Sequence, residues 1–228
     1  MNKSRKTLAL ATYLLGFFFA VSAAADGFKV YIATDMEGCS GVTCSEQVAS
    51  DEGDKLMAGD MNACIEGCFA AGATEVVVRD HHAGGRNVDP EAIDQRAKLI
   101  QGSTPEGRFK DIEGADAMIL LGYHAKALTP NGTLAHSYSS ASIQGMWLNG
   151  RSVGEIGVDA TIASEHEVPV VMVSGDDKAC AEAKDWIPGV VACQVKTGTG
   201  PQSAEVLPLE KARQLITEKT REALAKRK

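Results

Sequence analysis

The chain has 228 residues, 30 of them acidic against 23 Lys and Arg, and a formal net charge of -7 at pH 7. Its first 25 residues carry three bases and no acid, so the remainder is more acidic still, with 20 bases against 30 acids. Such a surface repels nucleic acid and anionic lipid, and about 200 residues suit one α/β domain with a sizeable core.

Lys3, Arg5 and Lys6 precede the apolar run LALATYLLGFFFAV, which gives way to Ala23, Ala24 and Ala25 just before Asp26. A basic start, a short apolar stretch and an A-x-A end predict a signal peptide over 1–25 and an exported, periplasmic or secreted protein. The run is too short to span a bilayer and no later segment is longer, so no membrane partner is expected after its removal. No cysteine stands at the cleavage point, which argues against a lipid anchor. One domain then covers 26–228.

FKVYIAT predicts a strand at 28–34, followed by the loop DMEGCSGV. Met57, Met61, Cys64, Ile65 and Cys68 recur with helical period, predicting a helix over roughly 55–71 that stops at Gly72. A strand at 74–79 follows at once, and the βαβ unit implies a parallel pair with a right-handed crossover. The polar stretch 86–116 reads as loop and helix, leading to a third apolar run at 117–123. Further on, MWLNGRSV carries Asn149-Gly150 between two short β-prone segments, the signal for a two-residue hairpin. A helix is expected at 154–167 with Ile156, Ile162 and Ala163 inward, a buried strand at VPVVMVSG, and a helix at 177–186. The last helix starts near Pro208, presents Leu209, Ala212, Ile216 and Ala223 on one face, and ends in bases that suit its dipole. The expected fold is a three-layer α/β sandwich with a mainly parallel sheet and a small β-hairpin insertion. Cys64 and Cys68 fall on the buried helix stripe and read as core residues rather than a disulfide; Cys39, Cys44, Cys180 and Cys193 lack metal-type spacing, and a bridge among these four stays open with no pairing assigned.

The chemistry-bearing residues lie just past the ends of the apolar runs: Asp35 and Glu37 after the first, Asp80, His81 and His82 after the second, His124 after the third. In a parallel sheet the carboxyl ends of the strands share one crevice, so these groups should meet. Asp35 and Glu37, two apart, point to one side of an extended segment and repel each other unless a cation neutralises them. Two carboxylates and two imidazoles in one crevice suggest a metal site. Against this stand ordinary alternatives: acids are common at strand ends, a lone histidine is usually a surface or satisfied core residue, and Glu155 at a helix start suits the dipole anyway.

DMEGCSG, the DHH at 80–82, GYHA at 122–125, the His136-Ser137 pair and GEIG at 154–157 resemble, in order and spacing, the motifs of the DppA-type zinc D-aminopeptidases, as do PVVMVSGDD and VKTGTG. The resemblance runs from about Phe28 to the last residue. It implies that Asp35, Glu37, His82, His124 and Glu155 bind two zinc ions with Asp35 as the bridge, and that His136 is the catalytic histidine. It further implies release of amino-terminal D-residues, D-Ala above all, from short peptides or amides by a metal-held hydroxide. Oxygen and nitrogen donors without thiolate suit zinc and equally admit manganese or iron. The chain ends after a basic helix where that family continues, so a homo-oligomer smaller than the family's rings is expected. Two other readings stand beside this one: a different two-metal hydrolase, such as a phosphoesterase or amidase, and a non-catalytic metal- or peptide-binding protein.

Overall fold

A computed structural model describes residues 27–227, so the signal-peptide reading lies outside the described residues. The apolar runs become the central strands β1 (Phe28–Thr34), β2 (Ala73–Asp80), β4 (Ala117–Leu121) and β7 (Val170–Asp176), flanked by β3 (Lys98–Ile100), β8 (Val191–Gly200) and β9 (Ser203–Val206). Their order is β3-β2-β1-β4-β7-β8-β9, parallel throughout except for the β8–β9 pair. Between β4 and β7, β5 (Met146–Leu148) and β6 (Arg151–Val153) form a separate antiparallel hairpin turning at Asn149 and Gly150.

Side chains alternate across the sheet and feed two cores. Val30, Ile32, Val76, Val78, Ile119 and Leu121 pack with helices α2 (Asp51–Ala70) and α5 (Leu209–Ala225) on one face. Tyr31, Ala33, Val77, Met118 and Leu120 pack with α3 (Glu155–Glu165) and α4 (Asp177–Trp186) on the other. This is the expected three-layer sandwich, and because strands buried on both faces read as continuous apolar runs, the central ones were visible in the sequence. All six cysteines are free, with Cys64 and Cys68 in the α2 core.

Several elements differ from expectation. The stretch 86–116 contains no α-helix; it holds a 3-10 turn at Pro90–Ala92 and the edge strand β3, both short enough to leave no period in the sequence. Helix α2 begins at Asp51: Ser50 before it is extended and turns its hydroxyl back to Gln47 O, and Asp51, Glu52 and Asp54 in the first turn favour the dipole without adding apolar period. A single turn, α1 (Ser45–Val48), precedes it. Ile162 is only half-buried, and Leu209 is 37% exposed because α5 has barely begun to approach the sheet there.

The chain winds outward from β1 through β2 to β3, then returns to the other side of β1 as β4, β7 and β8. The crevice between the carboxyl ends of β1 and β4 is therefore a topological switch point, where open α/β sheets bind ligands.

Candidate metal centre

Two glycines let backbone pack at the switch point closely enough to build a site. Gly38, in the loop after β1, donates its N–H to Gly122 O at 2.7 Å, and a Cβ on it would lie 2.0 Å from Tyr123 O. Gly122, at φ +71°, ends β4 against that loop, where a Cβ would meet Asp35 O at 2.3 Å. His81 N→Thr34 O and Asp35 N→Leu121 O, both 2.8 Å, carry the strand pairing one step beyond the sheet on each side. These bonds bring the three strand-end motifs together.

Asp35, Glu37, His124 and Glu155 are buried, and His82 and His136 half-buried, around one focus. His82 Nδ1 lies 3.2 Å from Asp35 Oδ1 and 3.1 Å from Glu37 Oε2. His124 Nε2 lies 3.3 Å from both Asp35 Oδ2 and Glu155 Oε1. The two oxygens of Asp35 thus face different histidines. His136 stacks on His124 with ring centroids 4.0 Å apart, its Nε2 3.8 Å from Glu155 Oε1. All six residues singled out in the sequence are brought together, although they span 35 to 155.

Hydrogen bonds orient the donors. His124 Nδ1–H donates to Ala125 O and His136 Nδ1–H to Leu134 O, each at 2.9 Å, because a carbonyl can only accept; Nε2 of each ring is left to face the cluster. Glu155 Oε1 accepts the Tyr138 N–H at 2.8 Å. Asp35 Oδ2, Glu37 Oε2 and His124 Nε2 are buried yet make no hydrogen bond of good geometry, a cost that native sites rarely bear without reason. Three carboxylates, imidazole nitrogens and no thiolate fit a hard or borderline divalent cation such as zinc.

Charge shifts show how the cluster copes on its own. Burial opposes a charged imidazole at His82, but the Asp35 and Glu37 carboxylates outweigh it and raise its pKa to about 10. His124 rises likewise to about 10, burial being overcome by Glu155, Asp35 and Glu37. For Glu37 burial pushes upward, yet the close approach of His82 Nδ1 and the charge of the neighbouring imidazoles bring it to about 2. In the metal-free protein, protons on imidazole take the place of the cation that the carboxylates demand.

A second ring of residues was missed in the sequence. Asp159, one helical turn past Glu155 on α3, accepts from Tyr123 Oη at 2.6 Å and from Arg108 Nη2 at 3.1 Å. That guanidinium lies 3.6 Å from Glu155 Oε2. His81 faces away from the cluster as adjacency to His82 predicts: its Nε2–H donates to Arg108 O at 3.0 Å and its Nδ1 is 3.1 Å from Tyr123 Oη. The i, i+4 spacing of Glu155 and Asp159 was a usable signal; Arg108, inside an irregular loop, carried none.

The family model described as Peptidase_M55, D-aminopeptidase, matches residues 28–228. The chain is 38% identical over 205 residues to a D-aminopeptidase of Bacillus subtilis (strain 168), covering 86% of this chain and 73% of that protein. It is similar in structure, with a TM-score of 0.83 and 36% identity over 86% of this chain and 74% of the other, to a protein described as Zn-dependent D-aminopeptidase DppA from Bacillus subtilis, a self-compartmentalizing protease.

Proposed function

Because the chain belongs to the D-aminopeptidase family Peptidase_M55, we propose that it is an exported, zinc-dependent aminopeptidase that releases amino-terminal D-residues of the D-Ala type from short peptides or amides. The observation that carries the metal part is Asp35, one carboxylate whose two oxygens face two separate donor groups. Glu37 and His82 on one side, and His124 and Glu155 on the other, would hold two ions with Asp35 shared between them. Bound there, the ions would supply Lewis acidity and a water nucleophile at neutral pH.

The chain's own residues then handle orientation and protons. His136, its Nδ1–H fixed on Leu134 O, presents Nε2 to the cluster. It can accept the proton of the attacking water and pass it to the departing amine as the C–N bond breaks and the C–O bond forms. Arg108, Tyr123 and Asp159 hold Glu155 and the α3 amino terminus in place. Arg108 is already paired with Asp159, which weakens the phosphoesterase reading, since a phosphate would want an unpaired cation at the site.

Metal analysis of the purified protein, with turnover of D-Ala and L-Ala amides before and after chelation, tests this reading. Equal rates on both enantiomers, or activity indifferent to chelation, would contradict it; bound metal without turnover on any D-amide would favour a binding protein. Export rests on the amino-terminal pattern, and sequencing the mature protein should find Asp26 first. A homo-oligomer belongs to the same reading, supported by the self-compartmentalizing relative and by the exposed side chains of Trp147 and Leu128; light scattering checks it.

A further inference from the structure

The motif VKTGTG places a lysine inside the molecule. Lys196 lies midway along β8, level with Asp176 at the carboxyl end of β7, and is only 2% exposed. Its Nζ donates to three backbone carbonyls of one loop: Glu37 O at 2.6 Å, Cys39 O at 3.0 Å and Val42 O at 2.5 Å. An ammonium has three protons, and all three are used. The three carbonyl dipoles contact the charge directly, and the carboxylates of Asp176, Asp60 and Glu37 favour it from further off, against the cost of burial.

The same loop is held from its other side. Asp60 of α2, fully buried, accepts the Ser40 N–H at 2.7 Å. Four backbone groups between Glu37 and Val42 are therefore tied to two buried charges of opposite sign, one on β8 and one on α2. Three of the carbonyl and amide groups sit within three residues of the Glu37 carboxylate, and Asp35 begins the loop. Without the Lys196 ammonium, Glu37 O and Val42 O would be buried with no donor and Cys39 O would keep only the Val42 N–H at 3.2 Å, so the loop would have to move to find others.

We propose that Lys196 is a positioning residue of the metal centre: its ammonium is a tethered cation in a cage of three loop carbonyls, and the cage fixes the loop that presents Asp35 and Glu37. The inference rests on the reading of those two residues as metal ligands. It predicts that a free cation of ammonium size can replace the side chain, whereas a merely space-filling lysine could not be replaced this way.

The test compares wild type, Lys196→Ala and Lys196→Gln by chelator-competition titration of zinc into the metal-free proteins, with circular dichroism and thermal melts alongside. Zinc binding should weaken tenfold or more in both variants. Ammonium chloride should recover at least half of that loss on a logarithmic scale in Lys196→Ala, while tetramethylammonium chloride at equal ionic strength, too large for the cage, should not. Zinc binding within twofold of wild type in either folded variant would overturn the proposal. So would a loss that ammonium leaves unchanged, or a Lys196→Ala protein unfolded with and without ammonium, since each makes the lysine a general packing element. Wild type that takes up no zinc would instead refute the metal centre itself, and the inference with it.

Discussion

Replacing Gly38 with Ala places one methyl group where the metal loop crosses the end of β4. The new Cβ would lie 2.0 Å from Tyr123 O, 2.4 Å from Gly122 C and 2.6 Å from Gly122 O. All three are backbone atoms, and their segment is itself held by Tyr123 N→Ser174 O at 2.9 Å and Gly122 N→Ser174 Oγ at 2.8 Å. Ordinary contact begins near 3.4 Å, so the two segments must separate by roughly 1.4 Å at that point. Glu37 precedes Gly38 and His124 follows Tyr123, which means the separation acts directly between two of the proposed ligands. Metal–ligand distances tolerate about 0.2 Å, so zinc affinity should fall by about a hundredfold, or about 2.7 kcal/mol. The metal-free protein should lose about 1–3 kcal/mol of stability through overpacking. Zinc titration against a chromophoric chelator reads the first effect and urea unfolding the second. Gly84→Ala is the control, since a Cβ there meets nothing within 4 Å although the residue is only two past His82. If Gly38→Ala bound zinc within threefold of wild type, the close crossing would not be what sets the ligand positions.

His82 and His124, held at about 10 by the carboxylates once burial is overcome, are protonated in the metal-free protein at pH 8, so zinc uptake should release about two protons from these rings besides about one from metal-held water. Unshifted imidazoles would add only about 0.1 to the proton from water; calorimetry in buffers of differing ionisation enthalpy distinguishes these, and a total below about two protons would refute the charge assignment. Because both folded-state values lie above the unfolded value of about 6.5, their contribution to stability is complete below that pH and is lost as pH rises through 10. Melting temperatures of the metal-free protein should reflect that loss across the window, while those of the zinc-loaded protein should not. His136→Ala should retain its zinc yet lower kcat by roughly a hundredfold or more, the range for lost general acid–base help; a metal-depleted variant, or one with wild-type kcat, would argue against the role. In the sheet, Ile119→Ala empties a fully buried site on β4 and should cost about 2–5 kcal/mol in chemical denaturation, with a loss below about 1 kcal/mol showing that the α2–α5 core repacks freely.

The sequence by itself determined the central sheet and the location of the site. Strands β1, β2, β4 and β7 are covered on both faces, which forces continuous apolar runs, and the Asn149-Gly150 turn has a backbone requirement few other pairs meet. Since parallel strands end at a common edge, Asp35, Glu37, His82 and His124 could be assigned to one crevice from their places at strand ends alone. Only the tertiary structure decided what holds them there. Strands β3 and β9 lie at the sheet edges, are three and four residues long with only Ile100 of the seven residues buried, and so have neither a continuous run nor a strict alternation to show. Lys196 bonds to backbone carbonyls, whose positions follow the path of a loop rather than the identity of any side chain, and Arg108 reaches His81 O and the Asp159 and Glu155 carboxylates only because its own irregular loop carries it there. Gly38 and Gly122 read as ordinary loop glycines until the chain crossing between them is known. Periodicity records which face of an element is buried, whereas the fit of one backbone segment against another leaves its trace only in residues, such as a buried lysine or a glycine, whose reason lies across the fold.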